Sequence, residues 1–190
     1  MNKAVMLSIR PKWVEKIASG EKTIEVRKTK PKLETPFKCY IYCTGYDALW
    51  VLDAPTREKY SFMAVAAYLE NPKGANKGNG KVIGEFTCDR IYKIGKDGTD
   101  FLFKAGGLSV YKQAAEGKCG LCVAMTDDEL HGYLGHCQGY GWHISGLLIY
   151  DQPRELSEFT GLRTFKGGFE LREIDRPPQS WCYVEAMKDA

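Results

Sequence analysis

The sequence has no apolar run approaching the roughly 18 residues that a membrane-spanning helix needs. Its first eleven residues, MNKAVMLSIRP, contain no long apolar core of the kind that marks a secretory signal peptide. It also shows no internal repeat and no low-complexity tract. A strand followed by a glycine-rich phosphate loop and a helix is missing as well, which argues against a dinucleotide-binding domain. We therefore expect a cytoplasmic protein without a membrane partner.

Histidine is scarce, with three residues, and the cysteine count is seven, an odd number. Without a secretory signal, an odd number of cysteines favours free thiols in a reducing compartment. Cys119 and Cys122 form one C-x-x-C pair, and His131, His136 and Cys137 follow it at distances that suit a zinc site. A single C-x-x-C is weak evidence for a metal, so we expect neither a metal nor a cofactor.

Charge is nearly balanced, with a formal net charge of +3 over 190 residues. It is unevenly placed, because residues 10–38 carry nine basic side chains against four acidic ones. Aromatic residues make up 12% of the chain, and their rings can stack on nucleobases or fill a core. A basic N-terminal fifth permits a nucleic-acid partner, although a solvated surface explains it equally well.

Local patterns in the first quarter of the chain predict two kinds of element. Residues 4–9 are apolar and read as a strand, and Pro11 then suits the first turn of a helix that Gly20 ends. Residues 23–27 alternate, with Ile24 and Val26 on one side and polar side chains on the other. This alternation predicts a half-buried strand with a polar working face. Another strand is expected over 38–44.

The remaining elements complete an α+β fold. We expect one long strand over 81–94, a helix opened by the capping box Thr126–Glu129, and strands over 142–150 and 181–185. Such an order fits a small, mostly antiparallel and partly open β-barrel with two or more flanking helices. The whole chain, 1–190, is predicted to be a single domain, with insertions in three stretches: 45–80, 95–120 and 160–175.

The segment Gly20–Arg27 reads G-x-K-x-x-E-x-R. In this spacing Lys22 sits in the turn before the strand, while Glu25 and Arg27 share one strand face. Arg27 offers a planar fork of donors to a phosphate or carbonyl. Glu25 can orient the two cations or accept from an amino group of a base. A structural salt-bridge cluster is the alternative.

The same segment resembles the signature of the ASCH family. Further segments are similar to small bacterial and phage members of that family: 7–11, 80–86, 139–144 and 177–184. The resemblance implies a PUA-like fold, RNA binding, and a cleft between the signature segment and the barrel. It also implies two enzymatic alternatives, because some small members are amidohydrolases that act on acetylated cytidine and others have been described as ribonucleases.

One difference from the amidohydrolase members decides the order of our three functional hypotheses. Those enzymes resemble G-x-K-T-x-T-x-R, with the second threonine as nucleophile, and here Glu25 occupies that place while Thr23 matches the first threonine. We therefore predict RNA or modified-nucleotide binding first. A hydrolase using Lys22 and Glu25 is the second hypothesis. A protein-interaction domain, contacting its partner through 45–80 and 160–175, is the third.

Other residues are predicted to line the same ligand site. Ser8 and Arg10 share a face of the first strand, and Tyr140 lies between two glycines. Trp142 and His143 are adjacent in a strand, so one of them is expected in the core and the other toward the ligand. The full set of predicted ligand-binding residues is Ser8, Arg10, Lys22, Thr23, Glu25, Arg27, Tyr140, Trp142 and His143.

Overall fold

A computed structural model describes residues 2–44, 51–53, 75–78, 80–94, 123–135 and 137–187. The predicted insertion at 95–120 lies outside these residues, as do the zinc candidates Cys119, Cys122 and His136. The chain forms two compact units. The first comprises 1–15, 38–86 and 147–190, and the second comprises 16–37 and 87–146.

The described residues form twelve strands, two α-helices and one short 3-10 helix. In chain order these are β1 Lys3–Ile9, α1 Pro11–Ala18, β2 Ile24–Arg27, β3 Phe37–Cys43, β4 Val51–Asp53, β5 Ala75–Lys77, β6 Val82–Cys88, β7 Ile91–Ile94, α2 Asp127–Leu134, β8 Gly139–His143, β9 Ser145–Arg154, the 3-10 helix Leu156–Glu158, β10 Thr160–Phe165, β11 Gly168–Glu173 and β12 Trp181–Glu185.

A seven-stranded sheet in the order β11-β10-β12-β1-β3-β6-β9 dominates the first unit. The apolar strand β1 lies near its middle, antiparallel to β12 and parallel to β3. One face of these strands is buried through Ala4, Met6, Tyr40 and Val184. The Tyr40 hydroxyl accepts a hydrogen bond from the backbone N–H of Met187 at 2.8 Å, which joins this core to the end of the described chain.

The second unit holds a three-stranded antiparallel sheet in the order β2-β8-β7. Helix α2 packs on it, and Leu134 meets Ile24, Val26 and Ile94 in a small apolar core. The predicted capping box is confirmed: the side chain of Thr126 accepts from the backbone N–H of Glu129 at 3.2 Å, and Glu129 accepts in return at 3.0 Å.

Several predicted elements are confirmed, and two are corrected. The strand over 4–9, the helix from Pro11 and the strand over 181–185 are present. The single strand predicted over 81–94 is wrong, because β6 and β7 belong to different sheets and Asp89 and Arg90 separate them. The strand predicted over 142–150 likewise divides into β8 and β9 at Ile144. Side-chain alternation continues through a change of sheet, so the sequence pattern could not show either break.

The α+β class is confirmed, but the barrel is not. The described strands form three sheets, of seven, three and two strands, and they do not close into a barrel. Within the predicted insertion 45–80, the described strands β4 and β5 pair antiparallel. Residues 160–175 form the hairpin β10–β11, which joins the large sheet through β12. Among the helices described, none is long and apolar enough to cross a membrane.

Candidate functional site

Three charged side chains of the signature segment meet inside the second unit. The Glu25 carboxylate lies 3.0 Å from Nη2 of Arg27 and 3.6 Å from Nζ of Lys22. The side chains are 1%, 7% and 6% exposed for Lys22, Glu25 and Arg27, respectively. All four residues of β2 are buried, so the predicted half-buried strand with a polar working face is wrong. The polar face is itself covered, and the three side chains form a buried charge cluster.

The turn before β2 places Lys22 in this cluster. Gly20 ends helix α1 with φ +77°, a conformation that glycine adopts without steric cost. The backbone N–H groups of Gly20 and Lys22 then donate to Ile17 and Lys16 of the same helix, at 3.0 and 2.9 Å. Lys22 Nζ donates to the backbone carbonyl of Val123 at 2.6 Å. The ammonium group is thereby anchored inside the unit.

The charge cluster carries two cations for its one carboxylate. Burying charged groups costs free energy unless they are paired. The low dielectric of the interior also strengthens the electrostatic interactions among the buried groups. The Glu25 carboxylate lies between the two basic groups and forms an ion pair with each of them. Counted formally, the three side chains include two basic groups and one acidic group.

Tyr133 joins the cluster from helix α2. The hydroxyl is shielded from water, which raises the pKa of Tyr133, while the Arg27 guanidinium opposes this rise and the Glu25 carboxylate adds to it. The Arg27 side chain and the backbone of Lys28 both act to lower this pKa. The Lys28 ammonium lies 5.5 Å from the Tyr133 ring, and 37% of the residue is exposed. Tyr133 is not among the predicted site residues, because at helical spacing it forms an apolar stripe with Leu130 and Leu134 and is expected in a core.

Tyr140 lies beside the cluster on the middle strand of the small sheet. It is directly opposite Arg27 of β2 on one side and Lys93 of β7 on the other. Residues directly opposite in antiparallel strands share a face, so Tyr140 is flanked by two basic side chains. Lys30 adds a third cation, with Nζ at 5.8 Å from the ring centre. Tyr140 is half-buried, whereas Lys30 and Lys93 are exposed.

Trp142 and His143 take opposite roles, as the alternation of a strand predicts. Trp142 is fully buried and packs edge-on against Phe37, with ring centres 5.7 Å apart. Trp142 is therefore the core member of the pair, and its place among the predicted ligand-binding residues has no support from its exposure. His143 is half-buried, and its Nδ1 lies 2.6 Å from the Asp89 carboxylate. Thr23 is also half-buried, and its backbone carbonyl accepts from Ile144.

Ser8 and Arg10 belong to the first unit. Ser8 is buried, and its hydroxyl donates to the backbone carbonyl of Pro178 at 2.6 Å. Arg10 is exposed, and its backbone carbonyl accepts the first hydrogen bonds of helix α1, from Trp13 and Val14. Their placement in one ligand site with the charge cluster stays a prediction.

The described residues bring few potential metal ligands close together. Cys137 is exposed, and no group of three or more His, Cys, Asp or Glu side chains among the described residues is placed to hold an ion. Five cysteines are described, and all are free thiols: Cys39, Cys43, Cys88, Cys137 and Cys182.

Comparison with known proteins gives matches among solved structures only. No family model matches the chain, and no curated protein matches its sequence. It is similar to the crystal structure of ASCH from Zymomonas mobilis, with 16% identity and a TM-score of 0.48 over 96% of this chain and 87% of that one. Two single-residue variants of the same protein match with 16% identity and TM-scores of 0.47, over 90% and 88% of their chains. These three structures are of one ASCH protein, and the sequence motifs of this chain resemble the same family.

Proposed function

We propose that the second unit binds single-stranded RNA or a modified nucleotide at the surface around Arg27, Tyr133 and Tyr140. One observation carries the proposal: two partly exposed tyrosine rings flank a buried, net positive charge cluster, and each ring has a lysine beside it. Aromatic rings next to cations are the combination that non-specific single-strand binding uses, because rings stack on bases and cations follow the phosphates.

The buried and exposed cations have different tasks in this proposal. Lys22 is anchored by Val123 and Glu25, so it contributes positive potential rather than a direct contact. The exposed Lys28 and Lys30 contact phosphates directly. The tyrosine rings stack on bases or on a nucleoside. Glu25 holds Arg27 against the Tyr133 hydroxyl and so keeps one ring in place.

Fluorescence polarisation of a labelled single-stranded RNA, over a series of salt concentrations, tests the proposal. For single strands, each phosphate contact contributes about 0.7 to the slope of log affinity against log salt. The double variant Lys28→Glu/Lys30→Glu should therefore weaken binding and flatten the slope by about 1.4.

A matched control keeps the change in net charge the same. Lys166→Glu/Arg176→Glu alters two exposed cations of the first unit and should leave the slope unchanged. Tyr140→Leu, which keeps an apolar side chain but removes the ring, should weaken binding without changing the slope. Equal losses in both double variants would show that the protein's overall charge, and not this site, binds RNA.

A hydrolase acting on RNA or on an acylated nucleoside is the second candidate. The contact of 3.6 Å between Lys22 and Glu25 favours it, because a buried ammonium–carboxylate pair can serve as acid and base. The engagement of Glu25 by Arg27 as well supports binding more than catalysis. Incubation with RNA and with acetylated cytidine, followed by analysis of the products, separates the two: turnover that Glu25→Gln abolishes would place the hydrolase first.

A further inference from the structure

Strand β11 ends the seven-stranded sheet and is exposed along its whole length. Its six residues, Gly168–Glu173, pair with β10 on one side, and β11 is terminal in the sheet that the described strands form. All six are exposed, including Phe169 and Leu171 at 38% and 50%. The edge of an exposed strand is a template for pairing with another strand.

The hairpin turn fixes which backbone groups point outward. Phe165 and Gly168 pair across a turn of only two residues, so they form a hydrogen-bonded pair in which each residue donates to and accepts from the other. Hydrogen-bonded pairs alternate along an antiparallel ladder, and Glu170 and Arg172 therefore also bond toward β10. The N–H and C=O groups of Phe169, Leu171 and Glu173 point to the outer edge.

This alternation limits how a second β11 can pair antiparallel with the first. Outward residues must face outward residues, and only two such registers overlap over five of the six residues of the strand. In one of them Phe169 faces Leu171 of the other copy, which puts Glu170 opposite Glu170. Like charges directly opposite are destabilising, so this register is disfavoured. The remaining registers overlap over three residues or fewer.

The other of these two registers brings opposite charges together. Leu171 then faces Leu171 on the two-fold axis, and Glu170 faces Arg172 twice, once on each side of the axis, while Phe169 faces Glu173 at the two ends. These Glu–Arg pairs are non-hydrogen-bonded pairs, in which the side chains approach most closely. The charge pattern of one strand is thus complementary to itself in one register, as a symmetric interface requires.

We propose that β11 is a homodimerisation edge, at which two copies of this chain pair antiparallel about Leu171. The partner strand comes from a second copy of this chain, because Leu171 has a glutamate on one side and an arginine on the other. This charge pattern is complementary to the same pattern running in the opposite direction. Phe169, with Lys3 Nζ at 4.9 Å from its ring, lies on the same face as Leu171 and extends the apolar strip. This interface is independent of the RNA site proposed above. It is a small interface, and interfaces below about 1,200 Å² are typical of weak association.

Sedimentation velocity over a concentration series up to about 1 mM should show the monomer of 21.4 kDa passing into a dimer. Glu170→Arg puts arginines opposite one another, and Arg172→Glu puts glutamates opposite one another. Each should weaken association by roughly tenfold. Lys166→Glu, in the turn beside the strand, has the same charge change as Arg172→Glu and should leave association unchanged.

Mixing the two single variants provides the decisive measurement. A Glu170→Arg chain and an Arg172→Glu chain are complementary to each other in this register, so the mixture should form a heterodimer although each variant alone self-associates only weakly. The double variant Glu170→Arg/Arg172→Glu should recover the homodimer. Recovery in both cases also shows that the variants fold. A wild-type chain that stays monomeric, a dimer indifferent to both substitutions, or a dimer lost in the single variants and not restored by mixing would overturn the proposal.

Discussion

The strongest test of the charge cluster is Glu25→Gln, a change that keeps the shape of the side chain and removes its charge. Glu25 accepts from Arg27 at 3.0 Å and lies 3.6 Å from Lys22, with 7% of its side chain exposed. Its loss leaves two cations without their common buried carboxylate. Removing one partner from a buried ion pair destabilises a protein by about 3–5 kcal/mol.

The contacts that the variant keeps indicate a loss of stability in the lower part of that range. Lys22 keeps its hydrogen bond to the Val123 carbonyl, and the glutamine amide oxygen still accepts one bond. We therefore expect the free energy of unfolding to fall by about 3 kcal/mol, a large share of the 5–15 kcal/mol that typical domains possess. Urea unfolding followed by tryptophan fluorescence and circular dichroism measures the difference.

Glu21→Gln is the matched control, because Glu21 is exposed one residue before Lys22 and bonds to the Ser19 hydroxyl. Substitutions at such surface sites usually change stability by less than about 0.5 kcal/mol. If Glu25→Gln changes stability no more than Glu21→Gln, then the cluster does not depend on its carboxylate, and the account of a buried, Glu25-centred cluster fails.

Three further predictions concern the surrounding structure. Thr126→Ala should lower the free energy of unfolding by about 1 kcal/mol, since it removes one half of the capping box of α2, and urea unfolding would show no change if the cap were idle. Gly84→Ala should destabilise the protein by about 2 kcal/mol or more, because the new Cβ would clash with the backbone of β9. Gly132→Ala in α2 places its Cβ in open space and should stabilise the protein by about 0.5–1 kcal/mol. Similar effects of the two substitutions in the same assay would refute the close contact between Gly84 and β9. Burial raises the pKa of Cys88 from 9.0 to about 12, so in the folded protein a thiol reagent at pH 8 should modify the exposed Cys137 well before Cys88, as peptide mass spectrometry would show. With that pKa raised on folding, the stability contributed by Cys88 is complete below pH 9 and declines as the pH rises from 9 toward 12, which unfolding curves on either side of pH 9 would detect.

The sequence determined those features that depend on neighbours along the chain. The capping box of α2 and the glycine that ends α1 were predicted because caps and turns are made by residues a few positions apart. The strand over 4–9 was predicted from its apolar run. The signature residues Lys22, Glu25 and Arg27 were also chosen correctly as a group that meets, since a turn followed by a two-residue period on a strand brings them together.

Tertiary structure alone decided how that group is used. The sequence pattern of β2 predicts one buried face, yet both faces are covered, and a half-buried working face became a buried charge cluster. Tyr133 entered the site because helix α2 packs across β2, and no local pattern records which side of a helix meets a distant strand. The break between β6 and β7 was hidden for the same reason. Alternation specifies which side chains share a face, whereas the choice of partner strand rests on contacts between residues far apart in the chain.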